Sequence, residues 1–278
     1  MLADSLYRSL FLAVILLLCG GSVPLTRAQS TSTAGSALTP LQREIETQRQ
    51  RLGSADPEER RDAIMRLQKF ERPESSRVAT AGLKDSVPMV RATAVHAVLY
   101  LPGEEVVALL SPLLQDRSEF VRRETAFALG ETRHPAAVEP LVGVLVNDKR
   151  NSVRGAAAVA LGQIGNDSAV NDLAQILSTP GKATTSNQRK KGENEFVLRA
   201  VARSLGQIRS RAGVPALIGV LSDESKPADV RREAAIALGA IGDSRAMAAL
   251  EAGLTARDPY LSLAAFEALR RIKVVQQR

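Results

Sequence analysis

Aliphatic residues recur along this chain at spacings that a helix gathers onto one face, and the face itself recurs about every 31 residues. Its clearest copy runs from Val153 to Gly165. Aligning every copy on the Val153 slot gives the anchors Glu59, Val90, Val121, Val153, Val197, Val230 and Leu261, separated by 31, 31, 32, 44, 33 and 31 residues. Eight residues on stand Leu67, Val98, Leu129, Leu161, Leu205, Leu238 and Leu269, and eleven on Phe70, Leu101, Thr132, Ile164, Ile208, Ile241 and Ile272. Offsets of 0, 4, 8 and 11 share one side of a helix of 3.6 residues per turn, so each copy predicts an amphipathic first helix.

Small residues fill the offset-four slot: Ala63, Ala94, Thr125, Ala157, Val201, Ala234 and Ala265. At offset nine stand Gly130, Gly162, Gly206 and Gly239. A glycine there costs about 1 kcal/mol of helix propensity, and the expected return is room for the neighbouring helix to cross at short range. Gly165 and Gly242 supply left-handed residues that end a helix. A second helical face follows each first one, ending on Leu83, Leu114, Leu145, Leu177, Leu221 and Leu254. The unit is therefore helix, turn, helix. Neither helix buries its face alone, and stacked neighbours bury both.

The unit resembles the HEAT-repeat family, in particular the HEAT-like repeats of the phycobilisome lyase type. The resemblance rests on an acidic residue, a short gap, Val-Arg, alanines and Leu-Gly. Here these are Asp116…Val121-Arg122…Ala128-Leu129-Gly130, Asp148…Val153-Arg154…Ala160-Leu161-Gly162 and Val230-Arg231…Ala237-Leu238-Gly239. It covers roughly residues 56–275 and implies an all-α, right-handed α-solenoid of about seven HEAT-like helix-turn-helix repeats. In such folds the concave side usually binds partners. The second helices are expected to line it, with Arg77, Lys84, Glu139, Asn171 and Gln175 as contacts.

Flanking segments complete the organisation. Residues 1–28 read as a signal peptide: Arg8, ten apolar residues from Leu10 to Cys19, a Gly-Gly-Ser-Val-Pro break and Thr26-Arg27-Ala28 before the expected cleavage. An uncleaved anchor and lipidation at Cys19 stay open as alternatives, although ten apolar residues fall short of the ~20 of a membrane span. Residues 29–38 form a Ser/Thr/Gly/Ala linker. Residues 39–275 hold the solenoid, beginning with a capping helix over 39–53 in which Leu41, Ile45 and Leu52 share a face. Between repeats four and five a stretch over 179–193 lacks apolar period and is expected to be a surface loop.

Composition narrows the chemistry. The chain is 45% hydrophobic but 3% aromatic, without tryptophan, so its core is aliphatic. Cys19 is the only cysteine, and cleavage after Ala28 leaves no thiol for a disulfide, nucleophile or metal site. The net charge of +7 makes the surface mildly basic. Arg189, Lys190 and Lys191 form a cationic cluster in the 179–193 stretch, suited to steering an acidic partner. Charges of both signs on the second helices argue against nucleic acid. Arg60, Arg91, Arg122, Arg154 and Arg231 follow the anchors, and Asp85, Asp116 and Asp148 recur with the repeat. These predict an Asp–Arg ladder between repeats, interrupted where Leu198 and Ser262 replace the arginine. His96 and His134 lie in different repeats without metal-ligand spacing. No His-Glu dipeptide occurs, which separates the chain from deoxyhypusine hydroxylase, a HEAT-like enzyme that holds two irons with His-Glu pairs.

No catalytic, cofactor or metal constellation emerges. The expected function is an exported, non-catalytic module that binds or scaffolds protein partners. The rival, implied by resemblance alone, is an enzyme or enzyme accessory of the bilin lyase type.

Overall fold

The first repeats show how proline and capping residues start each helix. The computed structural model describes residues 38–178 and 193–276. Helix α1 (Pro40–Arg51) begins with a capping box: the Thr39 hydroxyl accepts from the Gln42 amide at 3.2 Å, and the Gln42 side chain accepts from the Thr39 amide at 2.9 Å. Then come α2 (Pro57–Gln68), α3 (Pro73–Ala79), α4 (Pro88–Ala97), α5 (Gly103–Leu110), α6 (Glu119–Glu131) and α7 (Val138–Asn147). The chain continues through α8 (Asn151–Ile164), α9 (Val170–Ser178), α10 (Glu195–Ile208), α11 (Val214–Ser222), α12 (Ala228–Ile241), α13 (Met247–Gly253) and α14 (Pro259–Gln276). Even-numbered helices are the first helices of the repeats, and odd ones from α3 onward are the second. The described residues contain no strand. Thr39–Arg278 forms one unit, an all-α solenoid whose core is a continuous layer between the two helix rows.

The anchor and offset-eight residues do bury, as do Leu110, Leu141, Leu173, Leu217 and Leu250 from the second helices. Glu59, the one charged anchor, stays exposed and accepts from the Ser54 hydroxyl at 2.5 Å. In the capping helix Ile45 is buried and Leu41 is exposed. Gln48 is buried in its place, its amide donating to Glu44 at 2.7 Å and its carbonyl oxygen accepting from Arg51 at 2.9 Å.

Two designs of second helix occur. In the first two repeats an α-turn leads and a 3₁₀ turn follows (Thr80–Lys84, Ser111–Gln115); in repeats three to six a 3₁₀ turn leads. The leading turns at Asn166 and Asp243 are set by side chains that accept the backbone amide two residues on, and His134 does the same through Nδ1. Pro73 instead occupies the first turn of α3 and starts an α-helix directly. Gly165 and Gly242 end α8 and α12 with φ of 72° and 77°, and Arg209 takes the same left-handed position after α10 with φ of 60°. Helix α14 continues past the expected Ile272 to Gln276.

The expected signal peptide (1–28), nearly all of the expected linker (29–38) and nearly all of the expected loop (179–193) lie outside the described residues.

Candidate functional site

Spacing differs between the two helix rows. A Cβ built on Gly130, Gly162, Gly206 or Gly239 would stand 2.7, 2.9, 2.8 or 2.7 Å from the Cα of Ala160, Ser204, Ala237 or Ala268 in the next first helix. Those separations are shorter than side chains tolerate, so the first helices from α6 to α14 meet main chain to main chain. Ser204 reinforces one crossing: its hydroxyl lies 2.7 Å from the Ala158 carbonyl oxygen and 2.8 Å from its own Ala200 carbonyl, sharing one proton. Second helices approach their neighbours in the next repeat less closely than first helices do. Closely spaced first helices against more widely spaced second helices is the arrangement of a stack that bends toward its first helices.

The ion pairs follow the repeat. Arg60 Nε donates to Asp85 at 2.6 Å, Arg91 Nε to Asp116 at 2.7 Å and Arg122 Nε to Asp148 at 2.6 Å, with each guanidinium making a second bond to the same carboxylate. Each arginine thus pairs with the aspartate of the next repeat. The acid six residues before it gives only its carbonyl, as Asp85 does to Arg91 and Asp116 to Arg122. The other carboxylate duty is capping: Asp85, Asp116 and Asp148 accept the amides of Val87, Ser118 and Arg150. The Arg60 guanidinium holds the Asp85 carboxyl below the usual carboxylate range against the opposing effect of burial. For Asp116 burial is the largest influence and raises it, but Arg91 and the Ser118 amide outweigh it and the net direction is down. Arg154 reaches Glu193, and Arg231 donates to the Leu221 carbonyl at 2.9 Å, with Ala256 where the next acid would stand. The ladder is therefore structural and incomplete, and it is internally satisfied where it exists.

The outward side of the first helices has another character. The slot before the anchor holds Met89, Phe120, Phe196 and Tyr260, and offset six holds Met65, Phe127, Val159 and Ile236. Met65, Met89, Phe196, Ile236 and Tyr260 are exposed, and Phe120, Phe127 and Val159 are half-buried. Tyr100, in the turn after α4, is also exposed. Among described residues, no aromatic lies on a second helix, and Val146 is the one large hydrophobic exposed within that row of helices. Guanidinium groups border the rings: Arg123 lies 5.2 Å from the centroid of Phe120 and Arg232 5.6 Å from that of Tyr260.

Between α10 and α12 this face dips into a groove of about 540 Å³. Gly206 and Ala237, the pair in main-chain contact, make its floor. Arg203, Gln207, Arg209, Glu233, Ile236 and Ala240 make its walls. The Arg203 guanidinium is held by Glu233 through bonds of 2.9 and 3.1 Å, which raise its pKa. The walls thus offer a fixed cation, an amide and an aliphatic side chain, a set that binds. Among the described residues, no group of three or more His, Cys, Asp or Glu side chains could hold a metal ion.

The residues expected from sequence fall elsewhere. Arg77 is on α3 and bonds Glu105 of the next repeat at 2.6 Å. Lys84 lies in the 3₁₀ turn after α3, Glu139 at the start of α7, and Asn171 and Gln175 one turn apart on α9, all exposed. Only Asn171 and Gln175 come together. Arg189, Lys190 and Lys191 lie outside the described residues. His96 Nε2 lies 3.2 Å from the Glu124 carboxylate, and His134 caps its own turn. The outward aromatics escaped the sequence reading because they sit at offsets outside the repeated apolar face. The same alignment, read at offsets −1 and +6, finds them.

The profile described as HEAT repeats matches residues 45–126, 107–188 and 183–270, nearly the whole stack. The chain belongs to the HEAT-repeat family. Among curated proteins, deoxyhypusine hydroxylase of Gallus gallus is 42% identical over 79 residues, 28% of this HEAT-repeat chain; the match spans 26% of that relative. Among solved structures, YibA of Escherichia coli is 20% identical with a TM-score of 0.55, covering 83% of this chain and 82% of that one. The complex of CpcE and CpcF of phycocyanin lyase from Nostoc sp. PCC7120 is 22% identical with a TM-score of 0.48, covering 92% and 98%. At such identity the likeness to YibA speaks to the HEAT-type fold alone.

Proposed function

We propose that this HEAT-repeat protein is an exported, non-catalytic module that binds a protein partner through the outward side of its first helices. One observation carries the reading. Met65, Met89, Phe196, Ile236 and Tyr260 are exposed together on the outward side of the first-helix row, which is also the closely spaced and therefore inner row. Exposed aromatic and aliphatic side chains bordered by arginines form the type of surface that protein interfaces enrich. Concave placement lets one partner touch several repeats at once. The groove between α10 and α12, with Arg203 at its wall, suits a carboxylate-bearing side chain flanked by apolar ones. Export rests on residues 1–28. The described helices include none long and apolar enough to cross a membrane.

Site-specific photo-crosslinking in the native host tests this. A crosslinker at Phe127 or Ile236 should capture a discrete protein partner, and Arg203→Glu should reduce that capture about tenfold, the effect of losing one favourable charge contact and creating a repulsive one. The same crosslinker at Asn171, on the second-helix row, should capture nothing specific. Capture from Asn171 instead, or a pigment or metal copurifying at one per chain, would overturn the reading. Mass spectrometry of the mature protein should find Gln29 at its amino terminus; a chain that retains Cys19, free or lipidated, would overturn cleavage after Ala28.

A further inference from the structure

Each first helix offers its successor one side, and α14 shows what that side looks like uncovered. Offset five is occupied by Ile64, Val95, Ala126, Ala158, Ala202 and Ala235, every one 0% exposed beneath the next repeat. In α14 the same slot is Phe266, 55% exposed. Offset two, which in α8 is Gly155 lying under the Phe196 ring of the next repeat, is Leu263 in α14, 54% exposed. Offset nine, glycine in the four preceding repeats, is the exposed Arg270. One turn further on, at offset thirteen, Val274 is 48% exposed and completes the row. No described residue covers this side of α14.

We infer that a second copy of this chain covers it, the two α14 helices packing antiparallel about a two-fold axis. Six internal precedents show that the slot accepts another first helix, and among the described residues α14 is the one first helix whose accepting side is open. The other end of the stack is closed by α1, which exposes Gln42, Arg43, Arg49 and Gln50. Charge and apolar positions then select a register. With Glu267 opposite the partner copy's Arg270, Leu263 falls opposite the partner copy's Val274 and Phe266 against the stem of its Arg271. The two-fold repeats each pairing, as a self-complementary interface requires. An 18-residue helix is about 27 Å long. One such helix per copy gives less than the ~800 Å² per partner of a standard interface, so the dimer is reversible and forms in the micromolar range.

Sedimentation of the full chain across a concentration series tests this. The expected result is a monomer–dimer equilibrium that Phe266→Glu and, independently, Leu263→Glu abolish while the helical circular dichroism stays unchanged. Glu267→Arg and Arg270→Glu should each weaken association about tenfold, and the double exchange should restore it. A wild-type chain that stays monomeric at every concentration, a dimer that survives both apolar substitutions, open-ended oligomers, or a double exchange that fails to restore association would each overturn the inference. If one glutamate variant misfolds, the other and the charge exchange still decide.

Discussion

From α2 to α6 neighbouring repeats are joined mainly by carboxylate–guanidinium rungs, and from α8 to α14 mainly by main-chain approach at glycine. Offset nine shows the difference directly: Gln68 and Leu99 in the first two repeats, glycine in the next four. Side chains at that slot hold first helices apart, and there the rungs Arg60–Asp85 and Arg91–Asp116 bridge the gap. Glycine lets the helices close, and beyond Glu193 the repeated Arg–Asp rungs end, with Arg203–Glu233 linking α10 and α12 at another position. The α6–α8 junction has both, Arg122–Asp148 and Gly130 against Ala160. One fold is thus held by two devices that respond differently to substitution, acid and salt.

The largest effect is expected in the glycine-joined half. Gly206→Leu must displace the Ala237 main chain rather than a movable side chain, and should cost more than the ~3 kcal/mol of ordinary overpacking, read as a lowered urea midpoint. A loss below 1 kcal/mol (about the helix-propensity range) would show that the crossing is loose. In the rung-joined half, Asp116→Ala strands Arg91, whose side chain is 7% exposed. Bonds from Arg91 to the Asp85 and Ser86 carbonyls remain, so the expected loss is about 3 kcal/mol, the low end for breaking a buried pair. Arg231→Ala, at a position without a rung, should cost well under half of that; equal losses would remove the distinction.

Acid separates the halves further. Asp85 and Asp116 have folded pKa values below the unfolded ~3.9. Their stabilisation is fully present above that value and is lost as pH falls through the folded ones. From about pH 5 to pH 3, amide protection relative to the intrinsic exchange rate should therefore fall in α2–α6 before α10–α12. Asp243, lowered to about 2 by Arg245 and the Arg245 amide, keeps its turn intact through that range. A simultaneous loss of protection along the whole stack would contradict the division. The smallest effect is a gain. Gly219→Ala, at an exposed position with open space around it, should stabilise by about 0.5–1 kcal/mol, whereas the same change at Gly239, against the Ala268 main chain, should destabilise; like effects at both would contradict the comparison.

The sequence made the repeat, its anchors and the glycine crossings legible, because burial repeats with the period and forces the same residue types at the same offsets. It made the ladder between repeats legible too; the structure adds that the aspartate six residues before the arginine serves it through its carbonyl. Two features escaped. Gln48 replaces Leu41 in the capping helix because helix rotation, set by packing against α2 and α3, decides which side is covered. The aromatic side stands out less because its residues lie at offsets −1 and +6, outside the repeated apolar face that fixes the alignment. The physical cue was present, since glycine crossings confined to one row draw that row together and make it the inner one.

The break between repeats four and five is bounded by firm attachment points. Glu193 is tied to Arg154, and the Phe196 ring rests on Gly155, so the chain re-enters the stack pinned to the repeat it left. This junction is therefore a natural grafting port, where a reporter or whole module can be spliced in while the helices on either side keep their registration.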